Sequence, residues 1–153
     1  MKKISDRISY VGVNDDDKVL FEGLWPIPAG VSYNSYVVTD EKIALIDTVE
    51  SGFEEEFINN IAEATAGRPV DYLVVNHMEP DHSSLVAYML DRYPGLQIIA
   101  NAKTVPMLKG YYAVPEDRII IVAEGQSVSL GGCTLNFYMV PMVHWPETMV
   151  TWL

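Results

Sequence analysis

Tyr72-Leu73-Val74-Val75 is an unbroken apolar run that leads directly into Asn76-His77-Met78-Glu79-Pro80-Asp81-His82-Ser83-Ser84. A strand exposed on one face would alternate polar and apolar residues. A continuous run predicts a strand buried on both faces, and therefore an α/β (α+β) architecture with material packed on either side of its sheet. Four potential metal ligands, His77, Glu79, Asp81 and His82, follow within six residues where that strand gives out. The protein has only three histidines. Two of them fall in this segment and the third is His144.

The rest of the chain reads as scaffold for that segment. Tyr33 to Thr39 and Lys42 to Asp47 form short β-branched or aromatic runs split by a turn at Asp40-Glu41, and Leu24 to Gly30, with two prolines and a glycine, reads as a loop. Ser51 and Glu54 have capping-box spacing, and Phe53, Phe57, Ile58, Ile61 and Ala62 recur at helical spacing until Gly67 and Pro69. Leu85, Val86, Met89, Leu90 and Tyr93 make a second helical face, stopped by Pro94-Gly95. After a strand from Gln97 to Ala100, either Asn101 or Thr104 caps a short helix through Leu108, with Pro106 in its first turn. Ile119 to Val122, Ser127 to Leu130 and Thr134 to Val140 read as strands. The segment from Val143 to Leu153 begins as a loop and ends on a strand.

At 153 residues with 49% hydrophobic content, the chain is the size of one domain with a substantial core. Ten Lys and Arg against a net charge of −11 exclude a phosphate-binding surface, so no nucleic-acid partner is expected. No apolar run approaches the roughly 20 residues of a membrane span, and nothing after the basic start Met1 to Arg7 resembles a secretory signal. A cytoplasmic protein with no membrane partner is the expectation. Cys133 is the single cysteine and reads as a buried, inert thiol.

Pro80 and the spacing of the four ligands argue for a loop at a strand's carboxyl end, where open α/β sheets place their sites. A tight loop can aim two ligands one way and two another, which suits two metals sharing a pocket. Two imidazoles with two carboxylates suit iron or manganese, and zinc less specifically, while the oxygens are too few for a calcium loop. The competing reading makes Glu79 and Asp81 solvated loop acids and His82 a helix cap. A zinc-protease helix, a nucleophile elbow and a glycine-rich phosphate loop are absent.

His77-x-Glu79-x-Asp81-His82 followed by His144-Trp145-Pro146 resembles the metallo-β-lactamase-like diiron domain of the flavodiiron proteins. Gly30-Val31-Ser32-Tyr33-Asn34-Ser35-Tyr36 and Ala44-Leu45-Ile46-Asp47-Thr48-Val49 extend the likeness over nearly the whole chain. Hydrolases of the same superfamily carry His-x-His-x-Asp-His, and Glu79 in place of the second histidine marks the diiron branch. The resemblance implies the N-terminal portion of an αββα sandwich, spanning residues 1–153 as a partial domain. It implies an oxidoreductase that reduces dioxygen to water or nitric oxide to nitrous oxide at two irons, with zinc as a possible substitute. His77, Glu79 and His144 would hold one iron, and Asp81 and His82 the other. Asp47 would steady the ligand loop or simply cap its strand, and Trp145 would wall the substrate pocket or belong to the core. Electrons would come from FMN on another domain or subunit, through a flavodoxin-like or rubredoxin-like donor. The family's bridging aspartate, final histidine and flavodoxin-like domain do not occur within these residues.

Two other functions compete: a metal-dependent hydrolase of the wider superfamily, and a non-enzymatic assembly unit. The helices beginning near Ser51 and Ser83 can cover only one side of the sheet. The far side of strands such as Ile43 to Ile46 and Tyr72 to Val75 is therefore expected to be open and apolar, which predicts a homodimer.

Overall fold

A computed structural model describes all residues 1–153. The strands are β1 (Lys2–Lys3), β2 (Ile8–Tyr10), β3 (Val13–Asp15), β4 (Leu20–Phe21), β5 (Trp25–Pro26), β6 (Val31–Tyr33), β7 (Tyr36–Thr39), β8 (Ile43–Ile46), β9 (Tyr72–Val74), β10 (Gln97–Asn101), β11 (Ile119–Val122), β12 (Ser127–Ser129), β13 (Thr134–Met139) and β14 (Met149–Trp152). The helices are α1 (Glu54–Thr65), α2 (Pro80–Ser83), α3 (Val86–Arg92) and α4 (Thr104–Tyr112). A seven-stranded sheet runs in the order β1-β2-β7-β8-β9-β10-β11, and a three-stranded sheet in the order β12-β13-β14. Strands β8 to β11 are parallel neighbours, and β7 pairs with β8 as the expected hairpin, Thr39 opposite Ile43.

The unbroken apolar runs follow from burial on both faces of the large sheet. Ile43, Leu45, Leu73 and Ile98 pack with Phe57, Ile61, Val86, Met89 and Leu108 on the helical side. Their neighbours Ala44, Val74 and Ile99 point the other way, into a core completed by Leu130, Leu135, Phe137 and Met149 of the small sheet and its approaches. This corrects the open-sheet expectation. Ala44 and Val74 are fully buried, because the chain itself supplies three strands of a second layer. Apolar surface remains elsewhere: Tyr138, Val150 and Trp152 are 43%, 45% and 69% exposed on the outer face of the small sheet.

Several local expectations also change. Ser51 does not cap α1. Gly52 turns the chain at φ 97°, which makes Glu54 the first helical residue rather than the third, and its carboxylate instead accepts the Gly52 N–H at 3.1 Å. Glu54, Glu55 and Glu56 then place three acids at the positive end of the helix dipole. At α4 the side chain of Asn101 accepts from the N–H groups of Lys103 at 2.9 Å and Thr104 at 3.2 Å. Asn101 therefore does the capping, and the helix continues past Leu108 to Tyr112. The segment Leu24 to Gly30 is not wholly loop, since Trp25–Pro26 pairs with Leu20–Phe21. Cys133 is half-buried rather than buried. Desolvation and the neighbouring Asp40 push its thiol pKa up, so the thiolate is disfavoured as expected of an inert cysteine. No helix is long and apolar enough to cross a membrane.

Candidate metal centre

Backbone geometry explains how one short segment aims ligands in two directions. Val75 closes the β9 pairing through a bond from its N–H to Ile99 O, and the chain then leaves the sheet through an irregular segment to Glu79 at φ −59°, ψ 142°. His77 and Glu79 meet on one side of it, while Met78 between them enters the main core at 3% exposure. The ψ of Glu79 is what a residue before proline adopts, and Pro80 opens the one-turn helix α2 at a position needing no N–H. The sequence reading excluded a helix on account of this proline. Placed at the first helical position, the proline starts the turn, and Asp81 and His82 ride on it rather than on a loop.

The arrangement brings His77, Glu79 and His144 together, with ligand atoms within 4.8 Å of one another. His77 Nε2 lies 3.2 Å from Glu79 Oε2 and 3.1 Å from His144 Nε2, and His144 Nε2 lies 2.9 Å from the same Glu79 oxygen. Separations of 2.9, 3.1 and 3.2 Å let the three atoms reach one ion together. Two histidines and one carboxylate are a donor set that suits iron or zinc. His77 and Glu79 are buried, whereas the His144 side chain is 65% exposed and closes the triangle from solvent.

Asp81 and His82 stand beside this triangle and form a separate pair. His82 Nε2 is 3.7 Å from Asp81 Oδ2, and the His82 and His77 ring centroids are 5.3 Å apart. Asp81 Oδ1 is buried without a hydrogen-bond partner in the protein. Burial pushes the Asp81 carboxyl pKa up, with the His82 charge opposing. Burial alone would lower the His82 pKa, but the hydrogen bond and charge of Asp47, with Asp81 and Glu79, raise it overall.

Asp47 sits at the end of β8 in the left-handed region, φ 55°, which a non-glycine residue adopts only under constraint. Its Oδ1 accepts the Asn76 N–H at 2.7 Å and its Oδ2 faces His82 Nδ1 at 3.3 Å, so one carboxylate anchors the ligand segment and orients a ligand ring. Trp145 stacks edge-on to His77 at 5.1 Å between ring centroids. It also lines a 240 Å³ cleft with Lys18, Phe21, Glu50, Glu79 and Asp81. It thus both packs against the core and walls the approach to the cluster.

Sequence reasoning missed the groups that hold this site from behind. Thr48, fully buried, donates from both its N–H (2.8 Å) and its hydroxyl (2.9 Å) to His82 O. Ser83, also fully buried, donates to Met78 O at 2.8 Å and lies 2.9 Å from the Tyr112 hydroxyl. Glu147 is 1% exposed, and its Oε1 lies 2.9 Å from His77 Nδ1 and accepts the Met78 N–H at 3.0 Å. A carboxylate three residues after His144 was the one available signal, since Thr48 and Ser83 look like ordinary loop residues.

Residues 31–153 match the family described as ODP family beta lactamase. The anaerobic nitric oxide reductase flavorubredoxin of Aliivibrio fischeri is 34% identical over 152 residues, covering 98% of this chain and 31% of its own length. The nitric oxide reductase of Moorella thermoacetica is 36% identical over 151 residues, covering 98% and 38%. Among solved structures, the rubredoxin oxygen:oxidoreductase of Desulfovibrio gigas superposes with a TM-score of 0.93 at 32% identity, covering 99% of this chain and 38% of that one. The flavodiiron protein of Giardia intestinalis superposes at 0.90 with 30% identity, covering 99% and 37%. The chain spans roughly a third of the length of the curated relatives it matches. Its metallo-β-lactamase-like layers, its matched residues and these relatives together place the chain in the ODP family of β-lactamase-like domains.

Proposed function

We propose that residues 1–153 are the first part of a flavodiiron-type diiron domain, in an oxidoreductase that reduces dioxygen to water or nitric oxide to nitrous oxide. The reading rests chiefly on the close triangle of His77, Glu79 and His144, with Asp81 and His82 alongside. His77, Glu79 and His144 would hold one iron, and Asp81 and His82 would contribute to a second. Bound iron would supply one-electron redox chemistry. Around it the chain's own residues act structurally: Asp47 orients His82, Trp145 excludes water from one side, and Lys18 holds the rim of the cleft through Glu50 at 3.6 Å. FMN on another domain or subunit, fed by a rubredoxin-like or flavodoxin-like donor, would supply the electrons, in a cytoplasmic assembly of at least two copies. Relatives named for nitric oxide and for oxygen reduction both support this reading, and do not divide the two substrates.

Glu79 disfavours the hydrolase alternative, because it replaces an imidazole that a dizinc hydrolase of this superfamily expects. The test loads the protein with ferrous iron without oxygen and follows consumption of nitric oxide or dioxygen with reduced FMN as donor. Consumption lost in His77→Ala supports the proposal. Hydrolysis of a thioester, lactam or phosphodiester by the zinc-loaded protein, lost in the same variant, would replace it.

A further inference from the structure

We propose that Glu147 is a positioning residue for His77: its carboxylate holds the imidazole in the Nδ1–H tautomer and so leaves the Nε2 lone pair directed at Glu79 and His144. The inference deepens the metal-site reading above and rests on it for its functional meaning.

A carboxylate at 1% exposure is costly unless it is compensated, and Glu147 lies in an irregular segment just before β14. Both of its contacts fall on one oxygen. Oε1 lies 2.9 Å from His77 Nδ1 and accepts the Met78 N–H at 3.0 Å, while Oε2 has no hydrogen-bond partner in the protein. Glu147 thus grips the ligand segment twice, at the ring of His77 and at the backbone of the following residue. Its own backbone is tied down by the Asn101 amide, which donates to Glu147 O. A carboxylate oxygen can only accept, and both ring nitrogens of His77 face one: Nδ1 lies 2.9 Å from Glu147 and Nε2 lies 3.2 Å from Glu79, and the shorter contact, to the more deeply buried carboxylate, assigns the proton to Nδ1. The other nitrogen, Nε2, is then unprotonated and lies on the triangle's edges at 3.1 and 3.2 Å. An anionic acceptor on the far nitrogen also makes the imidazole a stronger donor through Nε2.

One other group approaches His77 Nδ1, the Thr148 hydroxyl at 3.4 Å. That hydroxyl donates to Trp145 O at 3.0 Å and accepts the Trp145 N–H at 3.3 Å, so it is already engaged, more distant and uncharged. Glu147 is the shorter and stronger of the two acceptors.

The decisive measurement needs no metal. Nitrogen-15 NMR of the metal-free protein, above the titration range of histidine, reports which ring nitrogen of His77 carries the proton. We expect Nδ1–H in the wild type and in Glu147→Gln, which keeps an acceptor oxygen, and a shift to Nε2–H in Glu147→Leu. Thr148→Val should leave the tautomer unchanged. Cobalt(II) titration, followed by its visible ligand-field bands, should then show affinity falling about 10–100-fold in Glu147→Leu. Glu147→Gln should fall in between, because the hydrogen bond survives and the negative charge does not.

Nε2–H in the wild type, or Nδ1–H persisting in folded Glu147→Leu, would overturn the proposal. If the Leu variant does not fold, wild-type cobalt affinity in Glu147→Gln would remove the role of the charge. A wild-type protein that binds no cobalt but shows the predicted tautomers would defeat the metal-site reading and leave the positioning contact standing.

Discussion

Asp47 couples two functions in one side chain, and its left-handed backbone at φ 55° shows that the surrounding structure holds it there. Replacing it with alanine strands the Asn76 N–H and releases the His82 ring, so Asp47→Ala should cost about 1–3 kcal/mol in chemical denaturation. The same variant should bind metal about 10–100-fold more weakly. Unchanged values on both counts would reduce Asp47 to a strand-end cap, the reading the sequence left open. Glu79 tests selectivity instead of stability. Glu79→His exchanges an oxygen donor for a nitrogen one, and competitive loading should shift from iron toward zinc. His77 and Glu79 were legible in the sequence because ligand-type side chains cluster there where a buried strand ends. Glu147 was not, because its role depends on a turn that returns the chain to His77 from seventy residues away.

The turn α2 and the ends of β8 and β9 form one hydrogen-bonded unit. Ser83 ties α2 to Met78 O and to Tyr112 of α4, and Thr48 ties the segment after β8 to His82 O. Ser83→Ala should therefore lower stability by about 1–2 kcal/mol, since it leaves the neighbouring groups with fewer partners in a dry site. It should also raise amide exchange across Asp81 and His82. Exchange unchanged there would mean α2 is held by backbone bonds alone. Strand and helix positions were readable from an unbroken apolar run, as in β9, or from helical spacing of the core-facing residues, as in α3. Boundaries failed where a single backbone angle decided them: Gly52 displaced the start of α1, and Pro80 began a helical turn instead of preventing one.

At the scale of the molecule, the second sheet was the least legible feature. Strands β12, β13 and β14 were individually recognisable, but nothing local announces that Leu135, Phe137 and Met149 roof Ala44, Val74 and Ile99. The uncovered apolar surface is consequently on the outer side of the small sheet, at Tyr138, Val150 and Trp152, instead of on β8 and β9. Tyr138 and Val150 are cross-strand partners, and Trp152 lies on the same face, so the patch is contiguous. Burying apolar area contributes about 25 cal/mol per Å², and the chain at micromolar concentration should self-associate in light scattering. A Trp152→Lys variant should be less associated, whereas a wild-type monomer that binds no hydrophobic dye would show that the patch drives nothing. The central claim, that His77, Glu79 and His144 hold one metal ion together, is tested most directly by elemental analysis after anaerobic loading with ferrous iron alone and exhaustive desalting. The account predicts iron retained by the wild type and lost from His77→Ala; no iron retained by the wild type, or iron retained equally by both proteins, would contradict it.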